Sequence, residues 1–269
     1  MPSADTGNAI DSHEDAGPEV SNLLWTGGWD STFRLLELLL VYRQPVQPYY
    51  LIDPYRASTL HEIRAMARIR QALRRYSPER AATLLPTRMH STEDLGRDDA
   101  TREHYESLKR RRNLGAQYEW LALFVARHDV PDLELSVHSD DKFAFIREVA
   151  EKRYTPRTGE YWKVRAQDVP PEVALFRPFA FPMLGCSKVR MREIAHAHGF
   201  DDLLDQTWFC HRPIRGRPCG LCAPCGFALD EGMAHRIPAS GRLRSRVSPL
   251  YAAARRLRRR VAERVPGAR

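Results

Sequence analysis

From residue 22 onward the apolar and polar positions of this chain switch between a period of two and a helical period, which predicts strands and helices in turn. Leu23–Trp25 reads as a short apolar strand, after which Leu35, Leu36, Leu39 and Leu40 recur at helical spacing to about Tyr42. Val46–Ile52 reads as a second strand ending at Asp53. Thr59 and Glu62 form a capping-box pair that opens a helix bearing Leu60, Ile63, Ala67 and Leu73. Ala82–Leu85 is the third predicted strand. From Ser91 to about Arg112 the sequence is polar without a clear face, which predicts a mobile or weakly helical excursion. Leu114, Tyr118, Leu121 and Val125 restore a helical stripe, and Leu133–Val137 is a short strand delivering His138, Ser139, Asp140 and Asp141 to its carboxyl end. Residues 154–172, with Pro156, Gly159, Pro170 and Pro171, read as an irregular loop and Val173–Phe176 as a further strand. Ser187 caps a helix that Gly199 terminates, with Val189, Ile194 and Ala195 inward. The alternation predicts an α/β fold, an open parallel sheet with helices on both faces.

In such sheets ligands sit outside the carboxyl ends of the strands. The first of these ends carries Thr26-Gly27-Gly28-Trp29-Asp30-Ser31-Thr32, a glycine pair running into a helix. Without a Cβ at Gly27 and Gly28 the backbone can turn sharply and approach a ligand closely, and the free N–H groups opening the helix point at bound phosphate. The lysine of a Walker A loop is missing and no G-x-G-x-x-G occurs, so neither common nucleotide fingerprint accounts for the segment. A plain Gly-Gly turn between strand and helix is the alternative. Trp29, bulky inside the loop, either stacks on a base or packs.

Charge sharpens the picture once it is located. The net charge of +8 is concentrated in residues 241–269, where ten arginines face the single acid Glu263, so the preceding 240 residues carry a net charge of −1. Leu250, Ala254, Leu257, Val261 and Val265 recur there at helical spacing among the arginines. Such a helix could grip nucleic acid, an acidic protein or a membrane surface, or lie solvated on the body. The first twenty residues hold five acids and no Lys or Arg and read as disordered. No apolar run of about 18 residues occurs, so no membrane span is expected, and the expected location is cytoplasmic.

Cys210, Cys219, Cys222 and Cys225 follow the pattern C-x8-C-x2-C-x2-C. Tetrahedral zinc takes four thiolates, and two-residue gaps let consecutive cysteines wrap one ion. Four thiolates leave no open coordination position, so the metal would be structural. An iron–sulfur cluster is the alternative. Cys186 stands apart and reads as a small buried residue.

The loop at residues 26–32 resembles the S-G-G-x-D-S signature of PP-loop ATP pyrophosphatases, with Thr26 keeping the hydroxyl. Together with the cysteine ending, it resembles the 7-cyano-7-deazaguanine synthase family over most of residues 22–230. Thr207-Trp208-Phe209-Cys210 and Pro218-Cys219-Gly220-Leu221-Cys222-Ala223-Pro224-Cys225 look like that family's closing motif, Arg112-Asn113 like its R-N pair, and Pro182-Met183-Leu184 with Ser187-Lys188 like its P-L-x-x-x-x-K segment. Asp53, Tyr55, Arg56, His61 and Glu62 loosely resemble its aspartate-tyrosine loop, at a different spacing. The resemblance implies ATP-dependent activation of a carboxylate as an acyl adenylate and its transfer to nitrogen, giving an amide or nitrile on a 7-deazaguanine-like acid. ATP, magnesium and zinc are the implied cofactors. A small carboxylic acid and ammonia are the implied substrates, and a homodimer is left open. Thr26, Gly27, Gly28, Trp29, Asp30, Ser31, Thr32, Asp53, Arg112 and Lys188 would bind the nucleotide, with Asp30 and Ser31 catalytic and Asp30 either binding magnesium or orienting the loop. The family's Y-P-D-C-R-like loop is replaced by Asp140-Asp141-Lys142-Phe143-Ala144-Phe145, where Asp140 or Asp141 would accept from the substrate's guanidine-like edge.

The expected organisation is an acidic tail (1–20), a nucleotide-binding domain (21–205), a zinc-binding segment (206–240) and a basic tail (241–269). A relative that passes the activated acid to a different amine, on a protein or a natural product, is the nearest alternative. A zinc-stabilised nucleic-acid-binding protein is the alternative of another class.

Overall fold

The computed structural model describes residues 20–112 and 114–248. The acidic start, Asn113 and the stripe from Leu250 to Val265 lie outside the described residues. In chain order the elements are β1 (Ser21–Leu24), α1 (Trp29–Leu36), continued by a π-helical turn at Glu37–Val41, β2 (Val46–Ile52), α2 (Thr59–Tyr76), α3 (Pro78–Ala82), β3 (Arg88–Ser91), a 3-10 turn at Thr92–Leu95, α4 (Asp99–Arg111), α5 (Gln117–His128) and β4 (Leu133–Glu134). A long 3-10 segment at Lys142–Val149 leads to β5 (Ala150–Thr155), β6 (Gly159–Val164), α6 (Pro171–Ala174), β7 (Phe179–Ala180), α7 (Lys188–Ala197), α8 (Asp201–Leu204), α9 (Ala223–Asp230) and a 3-10 turn at Ala234–Arg236.

Five strands form one parallel sheet in the order β3-β2-β1-β4-β7. The chain steps outward from β1 to β3 and then returns to the other side of β1, pairing Leu23 with Glu134. The order reverses between β1 and β4, and the crevice at such a reversal is where open α/β sheets bind ligands. Successive strand residues point to opposite faces, so Tyr49 and Leu51 join one core with Leu121, Phe124 and Phe179, while Tyr50 joins the other with Leu35, Met66 and Phe200. Helices thus cover both faces, as the alternation predicts.

Several predicted elements are displaced. Ala82 ends α3, Leu84 makes a single bridge to Val46, and the third strand is instead Arg88–Ser91, a polar edge strand without the apolar run that marks a central one. The excursion at 91–112 is an ordered helix, α4. Asp98 Oδ2 accepts from the Thr101 N–H at 2.8 Å to cap it, and only Tyr105 and Leu108 turn inward, too sparse a stripe for periodicity to register. Residues 154–172 contain most of an antiparallel hairpin, β5 against β6, in which Pro156 and Gly159 flank the turn. Val173 belongs to α6, and the last strand is Phe179–Ala180. In α2 the inward face is Ala65, Met66, Ile69 and Leu73, with Leu60 exposed, and Glu62 is bonded by the Ser58 hydroxyl rather than by Thr59. Val189 is exposed, and Met191 takes its inward place on α7.

Residues 239–248 are helical and packed. Arg244 Nε donates to the Cys219 carbonyl at 2.9 Å, and Gly241 lies against Gly220, so the start of the basic segment rests on the cysteine segment. Among the described residues no helix is long and apolar enough to cross a membrane.

Candidate functional site

The turn after β1 is built by hydroxyls and one left-handed glycine. Gly27 has φ +68°, and a Cβ there would stand 2.8 Å from the Glu62 carbonyl, so only glycine fits. Ser31 Oγ accepts from the Thr26 N–H at 3.2 Å and lies 3.1 Å from Thr26 Oγ1, which itself accepts from the Gly28 N–H at 3.3 Å. Gly28, extended at φ −77°, is the N-cap of α1, leaving the first N–H groups of that helix without intrahelical acceptors. The Gly27 carbonyl is taken by the Trp208 N–H at 2.9 Å, and the Trp208 ring stacks on His61 at 4.4 Å, which ties the cysteine segment to the turn.

A cavity of about 440 Å³ opens at this turn, between the carboxyl ends of β1, β2 and β4 on one side and residues 208–236 on the other. Asp30 Oδ1 is closed off from solvent and has no hydrogen-bond partner. Burial pushes its carboxyl above the usual carboxylate range, against the pull of Lys188 and His138. Lys188, at the first position of α7, donates from Nζ to Glu231 Oε1 at 3.2 Å. Asp141 faces the cavity while its Oδ1 accepts from the Phe143 N–H at 2.7 Å. Ser136 Oγ, in the same wall, is also closed off without a partner. Two unpartnered oxygens beside a lysine and a histidine describe a site shaped for a polar ligand, because such groups are costly to bury without one.

Across the cavity Glu62 is held by the Tyr50 hydroxyl at 2.7 Å and the Ser58 hydroxyl at 2.6 Å, with Arg56 Nη1 3.7 Å away. Burial, and then that carboxylate, push the Tyr50 hydroxyl well above the tyrosine range. Trp120, Tyr118, Trp208, Phe209 and Phe227 supply aromatic wall. The cavity therefore has charged groups on two sides, Asp30 with Lys188 and Glu62 with Arg56, and an aromatic flank.

The four cysteines lie together, with all four sulfurs within 4.8 Å of one another. Cys219 Sγ and Cys225 Sγ are 3.8 Å apart, and Cys222 Sγ and Cys210 Sγ 3.9 Å. Thiolates about 2.3 Å from a tetrahedral ion stand about 3.8 Å from each other, so the group can hold a metal. The Cys219 N–H donates to Cys210 Sγ at 3.2 Å, and the N–H groups of Leu221 and Cys222 donate to Cys219 Sγ at 3.2 and 3.3 Å, stabilising negative sulfur. Gly220, at φ +76°, lets this turn pass against the Gly241 backbone.

Of the nucleotide residues expected from sequence, Thr26, Gly28, Trp29, Asp30, Ser31 and Lys188 line the cavity, as does Asp141 of the expected substrate pair. Trp29 both faces it and stacks on Phe33 at 6.0 Å. Gly27 shapes the turn from behind. Thr32 is turned into the core, where its Oγ1 accepts from Trp25 Nε1 at 3.0 Å. Asp53 closes the turn after β2, accepting from the Tyr55 N–H at 3.0 Å. Arg112 points elsewhere, 4.8 Å over the Phe145 ring and 3.6 Å from Glu148. Asp140 is a strut whose Oδ2 accepts from the Lys188 N–H at 3.4 Å. Ser136, Trp120, Phe227, Glu231 and Arg236 join the cavity without having been anticipated. Phe227 and Glu231, four residues apart at the end of α9, share a side of it, a spacing that could have singled them out.

No model of a known protein family matches this chain, and the search of curated proteins found no match.

Proposed function

We propose that this protein activates a carboxylic acid with ATP and transfers the acyl group to nitrogen, releasing pyrophosphate and AMP. The observation that carries the reading is the position of the Thr26–Thr32 turn: at the reversal of strand order, opening into a cavity, with Asp30 unpartnered beside Lys188. The sequence resemblance to 7-cyano-7-deazaguanine synthases supports the same chemistry.

A carboxylate resists attack because of its charge, whereas an acyl adenylate offers AMP as a leaving group. The carboxylate oxygen bonds to the α-phosphorus as the bond to the β-phosphate oxygen breaks, and the amine then displaces AMP from the acyl carbon. In this scheme the Thr26 and Ser31 hydroxyls and the first amides of α1 hold the departing pyrophosphate, and the helix dipole favours its charge. Lys188 supplies positive charge next to them. Asp30 and Asp141 offer hard oxygen donors that fit magnesium, which when bound neutralises phosphate charge. The aromatic flank accommodates flat rings, the nucleotide base or a heterocyclic acid. The metal of the cysteine group, zinc by its donor set, holds the wall formed by residues 208–236.

A second reading has a specific observation in its favour. The segment that stands where the family it resembles recognises its ring is folded inward here, with Phe143 buried and stacked on Tyr118 at 4.1 Å. A different acid, or conjugation of the acid to an amine other than ammonia, suits that change.

Pyrophosphate release from ATP, measured with 7-deazaguanine-7-carboxylic acid and ammonia, tests the function. Acid-dependent release by the wild type and none by Asp30→Ala is the expected result. Equal rates in both would remove Asp30 from the site, and the mass of the product separates amide or nitrile from a conjugate.

A further inference from the structure

We propose that His138 donates a hydrogen bond from Nε2 to an oxygen of the nucleotide's α-phosphate. The proposal rests on the nucleotide reading above and adds a residue that reading does not use.

The backbone fixes the histidine's tautomer. The Asp140 N–H donates to His138 Nδ1 at 3.2 Å, nearer than the Asp140 carboxylate at 3.8 Å, and a ring nitrogen that accepts carries no proton, so the neutral ring holds its proton on Nε2. The loop that presents this amide is pinned on several sides. The Asp141 N–H donates to the His138 carbonyl at 3.0 Å, the Ser139 N–H to the Cys186 carbonyl at 3.0 Å, and Asp140 Oδ2 takes the Lys188 amide at the start of α7. His138 is 8% exposed and lines the cavity. With Nδ1 engaged and Nε2 protonated the ring has no lone pair to offer a ligand, so it acts there as a donor and not as a base.

The place on the ligand follows from topology. The turn after β1 takes the diphosphate end, and His138 lies in the segment that follows β4, on the other side of the reversal point, facing the same cavity as Thr26, Asp30 and Ser31. The phosphorus next along the ligand is the α-phosphorus. A donor there offsets the charge carried by its oxygens as a carboxylate approaches. Ser136, two residues earlier and lining the same cavity, has a closed-off hydroxyl without a partner.

Two measurements test this. Nitrogen NMR on the histidine-labelled wild-type protein reads the tautomer directly, with protonated Nε2 expected for His138. Calorimetric titration with AMP and, separately, with inorganic pyrophosphate compares wild type, His138→Leu and His138→Gln, each first shown to melt cooperatively. His138→Leu should lose about 10- to 100-fold in AMP affinity, the worth of a hydrogen bond to a charged group, and less than about threefold for pyrophosphate. His138→Gln, whose amide N–H stands near the place of Nε2, should stay within about fivefold for both. Protonated Nδ1, or AMP binding by His138→Leu as tight as by wild type, overturns the proposal alone. A wild type that binds neither AMP nor ATP overturns the nucleotide reading and this proposal with it.

Discussion

Arg34 grips Glu134 with two prongs, Nε to Oε2 at 2.7 Å and Nη2 to Oε1 at 2.9 Å, although the residues stand 100 positions apart. The same guanidinium donates to Glu37 Oε2 at 2.7 Å and to the Thr158 carbonyl at 3.1 Å. One buried cation therefore joins α1, which follows the Thr26–Gly28 turn, to β4, whose following segment carries Ser136 and His138, and to the β5–β6 hairpin.

Glu134→Gln should destabilise the protein by about 3–5 kcal/mol, because it leaves a buried charge short of its partner. Replacing both residues, Arg34→Met with Glu134→Leu, should be much milder. Urea denaturation of the single and double variants checks both, and a double variant as unstable as the single one would refute the account.

Asp30→Asn should act in opposite directions on stability and on catalysis. Because burial raises the carboxyl's proton affinity in the folded state, its favourable contribution is present below about pH 4 and lost as pH rises through the folded value. At pH 7 the asparagine variant should therefore have a higher denaturation midpoint than wild type, an advantage that shrinks at pH 4. Pyrophosphate release should fall by at least about 100-fold.

The two adjacent glycines should separate folding from binding. Gly27→Ala puts a Cβ against the Glu62 carbonyl in a left-handed conformation and should cost about 2 kcal/mol or more in stability. Gly28→Ala, extended and 3.2 Å from Thr26 Oγ1, should fold nearly as well but bind nucleotide at least about tenfold more weakly, since its methyl group occupies the cradle. Thermal melts and nucleotide titration distinguish the pair.

Removing the metal should empty the site of function as well as order. Elemental analysis should find about one ion per chain, zinc if the donor set decides, and Cys219→Ser should abolish its retention. The variant should lose nucleotide binding together with the metal, because Trp208, Phe209 and Phe227 line the cavity from the same segment. Intact nucleotide affinity in a metal-free sample would show the wall to be dispensable.

The strand-glycine-helix layout at residues 21–36 and the second strand were legible because each shows a long run of one period beside a turn signal. The cysteine group was legible from spacing alone. What escaped was set by tertiary context. The edge strand Arg88–Ser91 buries none of its residues and α4 turns only Tyr105 and Leu108 inward, so their patterns resemble loops. Arg112 has the residue type for a phosphate site but sits over Phe145, and no local pattern reveals where a side chain finds its partner. Asp140 and Asp141 are adjacent and chemically equal, yet one braces α7 and the other faces the cavity.

The bond from Trp208 to the Gly27 carbonyl has a temporal side. During synthesis the sheet and the Thr26–Thr32 turn leave the ribosome before the cysteines do, so the cavity begins with one wall missing. Only when residues 208–236 emerge and fold does the cavity gain its other wall, so its completion waits on the segment that carries the cysteines.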